Sequence, residues 1–230
     1  MTRAVIMAGG FGRRLSPLTD TLPKPLIRVG ERPIIEQIVR GFVAQGIVNI
    51  TIAVHYEARQ IEAHLGNGER LGAIVDYVRE SSPLGTAGAL RMMDRPDGPV
   101  IVSNADILTR VGYADLLQHH DRQRALMTVC LAAHSVQVPY GVAVTTDDML
   151  TGIEEKPVKA FPVLAGVYVL SPEALDPLPR KGAVDMPDLV RACMDAETGG
   201  LCGVATYHIR DFWIDMGTPE TLEAARGMVA

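Results

Sequence analysis

The chain has 230 residues, 47% of them hydrophobic and 21% charged, which suits one large α/β domain or two small ones and excludes a disordered chain. A formal net charge of −5 gives no whole-molecule attraction to nucleic acid, and no apolar run approaches the roughly 20 residues that span a bilayer. Three cysteines, Cys130, Cys193 and Cys202, form no C-x-x-C pair and stand at no metal-ligand spacing from histidine, so reduced thiols in a reducing compartment are expected. The Met1-Thr2-Arg3 start lacks the apolar core of a signal peptide, and the cytoplasm is the expected location.

Ala4 to Ala8 is a short, wholly apolar run that stops at Gly9-Gly10, as a buried strand of a parallel sheet does. A helix follows over 33–44, with Pro33 in its first turn and Ile34, Ile35, Ile38, Val39 and Phe42 on one face. The next segments read as strand 49–54, helix 58–65, strand 73–78, helix 85–93, strand 100–102 and helix 113–123. Strand and helix thus alternate about four times, which predicts a three-layer, doubly wound α/β fold with a mainly parallel sheet. From residue 126 the pattern changes. Segments 126–131, 141–146 and 163–170 are strand-like with few helices between them, and 185–196 and 219–228 close as helices. They are expected to extend the same sheet, making it mixed, with no internal repeat and no linker.

After the first strand comes Gly9-Gly10-Phe11-Gly12-Arg13-Arg14, and then Pro23-Lys24-Pro25. Glycines let backbone N–H groups approach a phosphate chain, and an arginine fork and a lysine ammonium can neutralise it. A Walker loop would need Lys-Ser/Thr after the glycines, and a dinucleotide fingerprint would need glycine where Leu15 stands, so neither is present. Two aspartates stand out. Asp106 lies just past a buried-type strand, where ligands bind in open α/β sheets, and Asp215 lies in Trp213-Ile214-Asp215-Met216-Gly217-Thr218. Each could instead be a turn or helix-cap residue.

The string MAGGFGRRLSPLTDTLPKPLIRVGERPII resembles the signature of the sugar-1-phosphate nucleotidyltransferase family, (L/M)-A-(G/A)-G-x-G-T-R-L-x-P-L-T followed by P-K-P. SNADIL and FWIDMGTPETL resemble its strand-end aspartate element and its W-x-D-x-G-T element, and Tyr140-Gly141 with Glu154-Glu155-Lys156-Pro157 its acceptor-sugar elements. The likeness is closest to mannose, heptose and amino-sugar 1-phosphate guanylyltransferases of bacterial surface-sugar pathways, and it covers essentially the whole chain. It implies a Rossmann-like nucleotidyltransferase fold of the glycosyltransferase-A type. It also implies a single catalytic domain over 1–230, with a nucleotide-binding half (1–125) and a sugar-phosphate-binding half (126–230).

The resemblance assigns roles residue by residue. Ala8, Gly9, Gly10, Gly12 and Arg13 would hold the nucleotide phosphates, Arg14 and Lys24 would act on the triphosphate, and Asp106 and Asp215 would bind Mg²⁺ together. Glu80, Gly85 and Thr86 belong to a segment resembling E-x-x-P-L-G-T-(A/G)-G, which lines the nucleobase pocket; its small residues would let a flat base approach the backbone. The absence of glutamine there favours GTP, with the room for a purine ascribed to Gly85 and Ala87. Gly141, Glu155 and Gly166 would face the sugar and Lys156 its phosphate, although a charged cluster such as 154–156 is by itself an ordinary exposed turn. The sequence departs from the family at Arg13, usually threonine, and at Leu164, usually asparagine. The partners implied are an NTP and a sugar 1-phosphate, with neither nucleic acid nor membrane, and self-association left open. A uridylyl-, thymidylyl- or cytidylyltransferase and a non-catalytic nucleotide-sugar-binding homologue are the competing readings. Retention of Arg14, Lys24, Asp106, Lys156 and Asp215 favours the enzyme.

Overall fold

The computed structural model describes residues 2–196 and 200–229. In chain order its elements are β1 (Arg3–Ala8), β2 (Arg28–Val29), β3 (Arg32–Pro33), α1 (Ile34–Val43), β4 (Asn49–Val54), α2 (Ala58–Leu65), β5 (Ile74–Arg79), β6 (Val100–Asn104), β7 (Ile107–Thr109) and α3 (Tyr113–Gln123). Then follow β8 (Ala125–Gln137), β9 (Gly141–Thr146), β10 (Met149–Glu155), β11 (Val158–Leu170), α4 (Met186–Asp195), β12 (Cys202–His208), β13 (Trp213–Asp215) and α5 (Pro219–Val229).

One seven-stranded sheet in the order β12-β8-β11-β6-β1-β4-β5 runs through both halves of the chain. All its pairings are parallel except those of β11 with β6 and β8, so β11 alone runs against the rest. The expected Rossmann-like, mixed but mainly parallel sheet is therefore observed. Side chains alternate across it, as the pleat requires. Ala4, Ile6 and Ala8 of β1 enter a core shared with α1, α2 and α5 residues, while Val5 and Met7 enter a second core with α4. The five apolar positions of α1 singled out by periodicity are all buried.

Three differences from the sequence reading have physical causes. The helix expected over 85–93 is a short 3-10 turn over Gly88–Met92, because Leu84 to Ala87 bond instead to a distant segment at 184–186. Strands β8 and β11 run far beyond the expected 126–131 and 163–170, and their extra residues are largely exposed, so hydropathy gave no sign of them. Strands β10 and β12 were missed for the same reason, since β10 forms an exposed two-stranded ribbon with β9 and β12 is a half-buried sheet edge.

Candidate active site

The chain leaves β1, builds β4 and β5 on one side, and returns to place β6 on the other side of β1. Such a switch point opens a crevice beyond the carboxyl ends of the strands. A cleft of about 280 Å³ lies there, lined by Ala8, Gly10, Gly12, Arg13 and Arg14, by Lys24 and Pro25, by Thr86, by Ala105 and Asp106, and by Gly217. Five segments remote in sequence thus converge on it.

The loop after β1 is shaped by three glycines for different reasons. Gly12 has φ +64°, and a Cβ there would lie 3.0 Å from both Lys24 Cβ and Thr19 Cγ2. Gly9 is backed by Glu80, whose Oε1 would be 2.5 Å from a Cβ. At Gly10 a Cβ would meet nothing within 4 Å, so that face is open to the cleft. The Arg13 guanidinium lies 5.2 Å from the centroid of the Phe11 ring, which leans on His55 and Tyr56. This cation–π contact gives the residue departing from the family pattern a defined station at the cleft.

Asp106 occupies the turn between β6 and β7, and Asp215 ends β13. β7 and β13 pair antiparallel with Asp215 opposite Ile107, and the Met216 amide donates to the Asp106 carbonyl at 3.0 Å. A ladder of only three residues a side thereby joins carboxylates more than one hundred positions apart. Neither caps a helix: Gly112 precedes α3, and the Thr218 hydroxyl accepts the Thr221 amide at the start of α5. Lys24, itself 8% exposed, forms an ion pair with Asp106. Burial and the Asp106 charge raise the Asp215 pKa above the usual carboxylate range, against the pull of Lys24, the Gly217 amide and Arg14.

Asp215 Oδ1 is buried with no hydrogen-bond partner among the described residues. An orphaned carboxylate oxygen beside a second carboxylate is a place for a cation. No third His, Cys, Asp or Glu joins them among the described residues, so a bound ion would draw its remaining ligands from a substrate or water. Gly217, which the sequence reading did not single out, completes the geometry. A Cβ there would lie 2.8 Å from Asp215 Oδ1 and 3.2 Å from both Arg14 Nη atoms, so glycine lets these two side chains share one corner. Its position two residues after Asp215 was the available signal.

The remaining expected residues are placed as follows. Glu80 is buried, accepts the Leu84 amide through Oε2 at 2.9 Å, and is shifted upward in pKa by that burial. Gly85 has φ +80°, and its missing side chain points at the Val184 carbonyl, 2.5 Å from a Cβ position. Ala87 is wholly buried. Their smallness, to which the sequence reading ascribed room for a purine, serves at Gly85 the close approach to the Val184 carbonyl and at Ala87 the second core. Gly166 sits in the β11 bulge at φ +69°, against the Asn104 amide and Ile107. Gly141 and Glu155 face each other across the β9–β10 ribbon, with Lys156 just beyond at φ 45°, and none of the three lines the cleft.

The arrangement defines a class: an α/β protein whose crevice gathers a glycine loop, the cationic side chains of Arg13, Arg14 and Lys24, and Asp106 with Asp215 paired beside it. Residues 3–229 match the model of the family described as Nucleotidyl transferase, and the chain belongs to that family. It is 31% identical over 229 residues to a mannose-1-phosphate guanyltransferase of Aspergillus fumigatus, and 30% identical to that of Schizosaccharomyces pombe. In both matches it is covered to 95% but spans only 61% of the relative's length. HddC from Yersinia pseudotuberculosis shares the fold over the full length of both chains, with a TM-score of 0.75 at 22% identity. No described helix is long and apolar enough to cross a membrane.

Proposed function

We propose that this chain transfers a guanylyl group from GTP to the phosphate of a hexose 1-phosphate, with mannose 1-phosphate the first candidate, releasing pyrophosphate. The observation that carries the reading is the meeting of Asp106 and Asp215 opposite a glycine loop flanked by Arg14 and Lys24. Phosphate chemistry of this kind needs alignment and charge neutralisation more than a strong base. A sugar-phosphate oxygen, already ionised at neutral pH, bonds to the α-phosphorus of the NTP as the bond to the β-phosphate bridging oxygen breaks. Arg14 and Lys24 hold the departing pyrophosphate as it gains charge. Asp106 and Asp215 would hold a Mg²⁺ ion, which would supply neutralisation of the charge on the reacting phosphates.

The sheet order supports one arrangement of the substrates. Glu80 follows β5, the glycine loop follows β1, Asp106 follows β6, and Gly166 lies on β11, so base, phosphates, metal and sugar would succeed one another across the strand ends. Residues 1–125 then act as the nucleotide half and 126–230 as the sugar-phosphate half, with the ribbon residues Gly141, Glu155 and Lys156 serving the sugar. Guanine is favoured by the relatives' names, and the segment after β5 that carries Glu80, Gly85 and Thr86 reaches the cleft through Thr86.

The test is competition among equal concentrations of GTP, ATP, UTP, CTP and dTTP with mannose 1-phosphate and Mg²⁺, read as nucleotide-sugar products. GDP-sugar should dominate. Dominant UDP-, CDP- or dTDP-sugar would overturn the guanylyl assignment. No pyrophosphate release with any NTP and any hexose 1-phosphate would overturn the transferase.

A further inference from the structure

Asp185 stands at the N-cap position of α4, where an aspartate ordinarily turns its carboxylate onto the first amides of its own helix. Here it makes no such bond. Its Oδ1 instead accepts the Thr86 amide at 3.0 Å and the Thr86 hydroxyl at 3.3 Å, and Thr86 Oγ1 accepts the Met186 amide at 2.7 Å. Two backbone bonds flank this clasp, Val184 N–H to the Leu84 carbonyl at 2.8 Å and Ala87 N–H to the Val184 carbonyl at 2.9 Å. Gly85, lying between them, is pressed onto the same segment, with a Cβ position 2.5 Å from the Val184 carbonyl and 2.9 Å from Asp185 Oδ1. Residues 84–87 would otherwise continue toward the Gly88–Met92 turn as a glycine-rich loop with little side chain of its own to fix it.

Thr86 lines the cleft, yet both its amide and its hydroxyl are engaged by 185–186. It therefore contributes position and shape to the cleft, and Asp185 sets that position. We infer that Asp185 is a positioning residue for nucleotide selection, holding the Leu84–Ala87 loop in the conformation that receives the NTP. The inference rests on the nucleotidyl-transfer reading of the cleft but not on which base it prefers. Because the side chain does not cap α4, its removal spares that helix the usual loss of a cap.

The test compares Asp185→Asn, Asp185→Ala and Thr86→Val in the full chain. Asparagine keeps an oxygen acceptor at Oδ1, so Asp185→Asn should stay within about twofold of wild type, the size of a modest change in one hydrogen bond. Loss of two bonds in Asp185→Ala should raise the NTP KM and the nucleotide Kd by about tenfold. It should also compress the ratio of kcat/KM between preferred and disfavoured NTPs, with the sugar 1-phosphate KM unchanged. Thr86→Val should be largely non-additive with Asp185→Ala, as for partners in one network. Nucleotide Kd, measured by calorimetry with Mg²⁺ and no sugar phosphate, reports the clasp even where turnover is low. Unchanged NTP KM, Kd and selectivity in Asp185→Ala would overturn the inference. So would an equal rise in both substrates' KM, or full additivity with Thr86→Val. Failure of wild type to bind any NTP would sink it together with the transferase reading, whereas a wild-type preference for another base would leave it standing.

Discussion

At the scale of single residues, Asp215 shows how a buried carboxylate works against the fold that holds it. Burial and the neighbouring Asp106 raise its pKa, so the folded state favours its protonated form relative to the unfolded chain. A carboxylate whose folded pKa is raised contributes stability at low pH that is lost as pH rises through that folded value. At neutral pH the ionised group is therefore a burden, accepted because its orphaned Oδ1 is available to a cation. Asp215→Asn should accordingly raise the melting temperature at pH 7.5, and the gain should vanish below about pH 4, where both states are protonated. Turnover should fall about a thousandfold, since the charge stabilisation forfeited is worth several kcal/mol. Calorimetry at the two pH values, paired with pyrophosphate release, checks both halves. A variant less stable than wild type at pH 7.5 would contradict the assignment of strain to Asp215. Glu80, whose pKa burial also raises, belongs to the same kind of group, whereas Lys24 and Asp106 offset each other as a part-buried pair.

At the scale of elements, a ladder of three residues a side does the most for the site. β13 is three residues long, yet it carries Asp215 to Asp106 and sends the Trp213 Nε1–H to the Ala165 carbonyl at 2.8 Å, beside the β11 bulge at Gly166. Ala165 is wholly buried, so Trp213→Phe leaves its carbonyl without that donor. The expected cost is about 1–3 kcal/mol in denaturant unfolding at an unchanged m-value; no loss would show that the bond is replaced by relaxation. Such a ladder is invisible in sequence, because three residues give no periodicity and its partner lies more than one hundred positions away. What was legible had strong local signals. β1, β4 and β6 are short, mostly apolar segments, and α1 shows its 3.6-residue stripe. The glycine loop, both aspartates and Gly217 were legible as motif positions, but the contacts that make Gly217, Val184 and Asp185 matter were not, since they join segments far apart in sequence. The 85–93 segment has a composition compatible with a helix, and it was misjudged in length because the Asp185 clasp overrides local propensity. Strand β9 was legible at its observed bounds, 141–146, whereas the outer ends of β8 and β11 and its ribbon partner β10 lie outside the core, where hydropathy has nothing to report.

At the scale of the whole molecule, the first and second halves are joined by more than apolar packing. His120 of α3 is 2% exposed, with Nδ1 2.8 Å from Thr128 Oγ1 on β8 and Nε2 3.0 Å from Ser171 Oγ just past β11. Ser171 donates its hydroxyl proton to the Ala125 carbonyl at 2.9 Å, so its oxygen is the acceptor for His120 Nε2–H. Nδ1 must then accept from the Thr128 hydroxyl, and every polar group in the relay is satisfied with the imidazole neutral. Protonation would put a second N–H at Nδ1, displace the Thr128 donor, and leave a charge in the core. Burial lowers the His120 pKa from its ordinary value, with Asp121 acting weakly the other way. A histidine whose folded pKa is depressed binds fewer protons folded than unfolded as the pH falls below about 6.5, so stability declines with acidification in that window and is complete above it. The relay spans α3, β8 and the segment after β11, so its loss loosens the sheet globally and should appear in cooperative unfolding. Urea unfolding midpoints for wild type should fall between pH 7.5 and pH 5.5. His120→Asn, less stable at pH 7.5, should show a shallower fall over that interval because the titrating group is gone. Parallel pH profiles for the two proteins would mean that the acid sensitivity resides elsewhere.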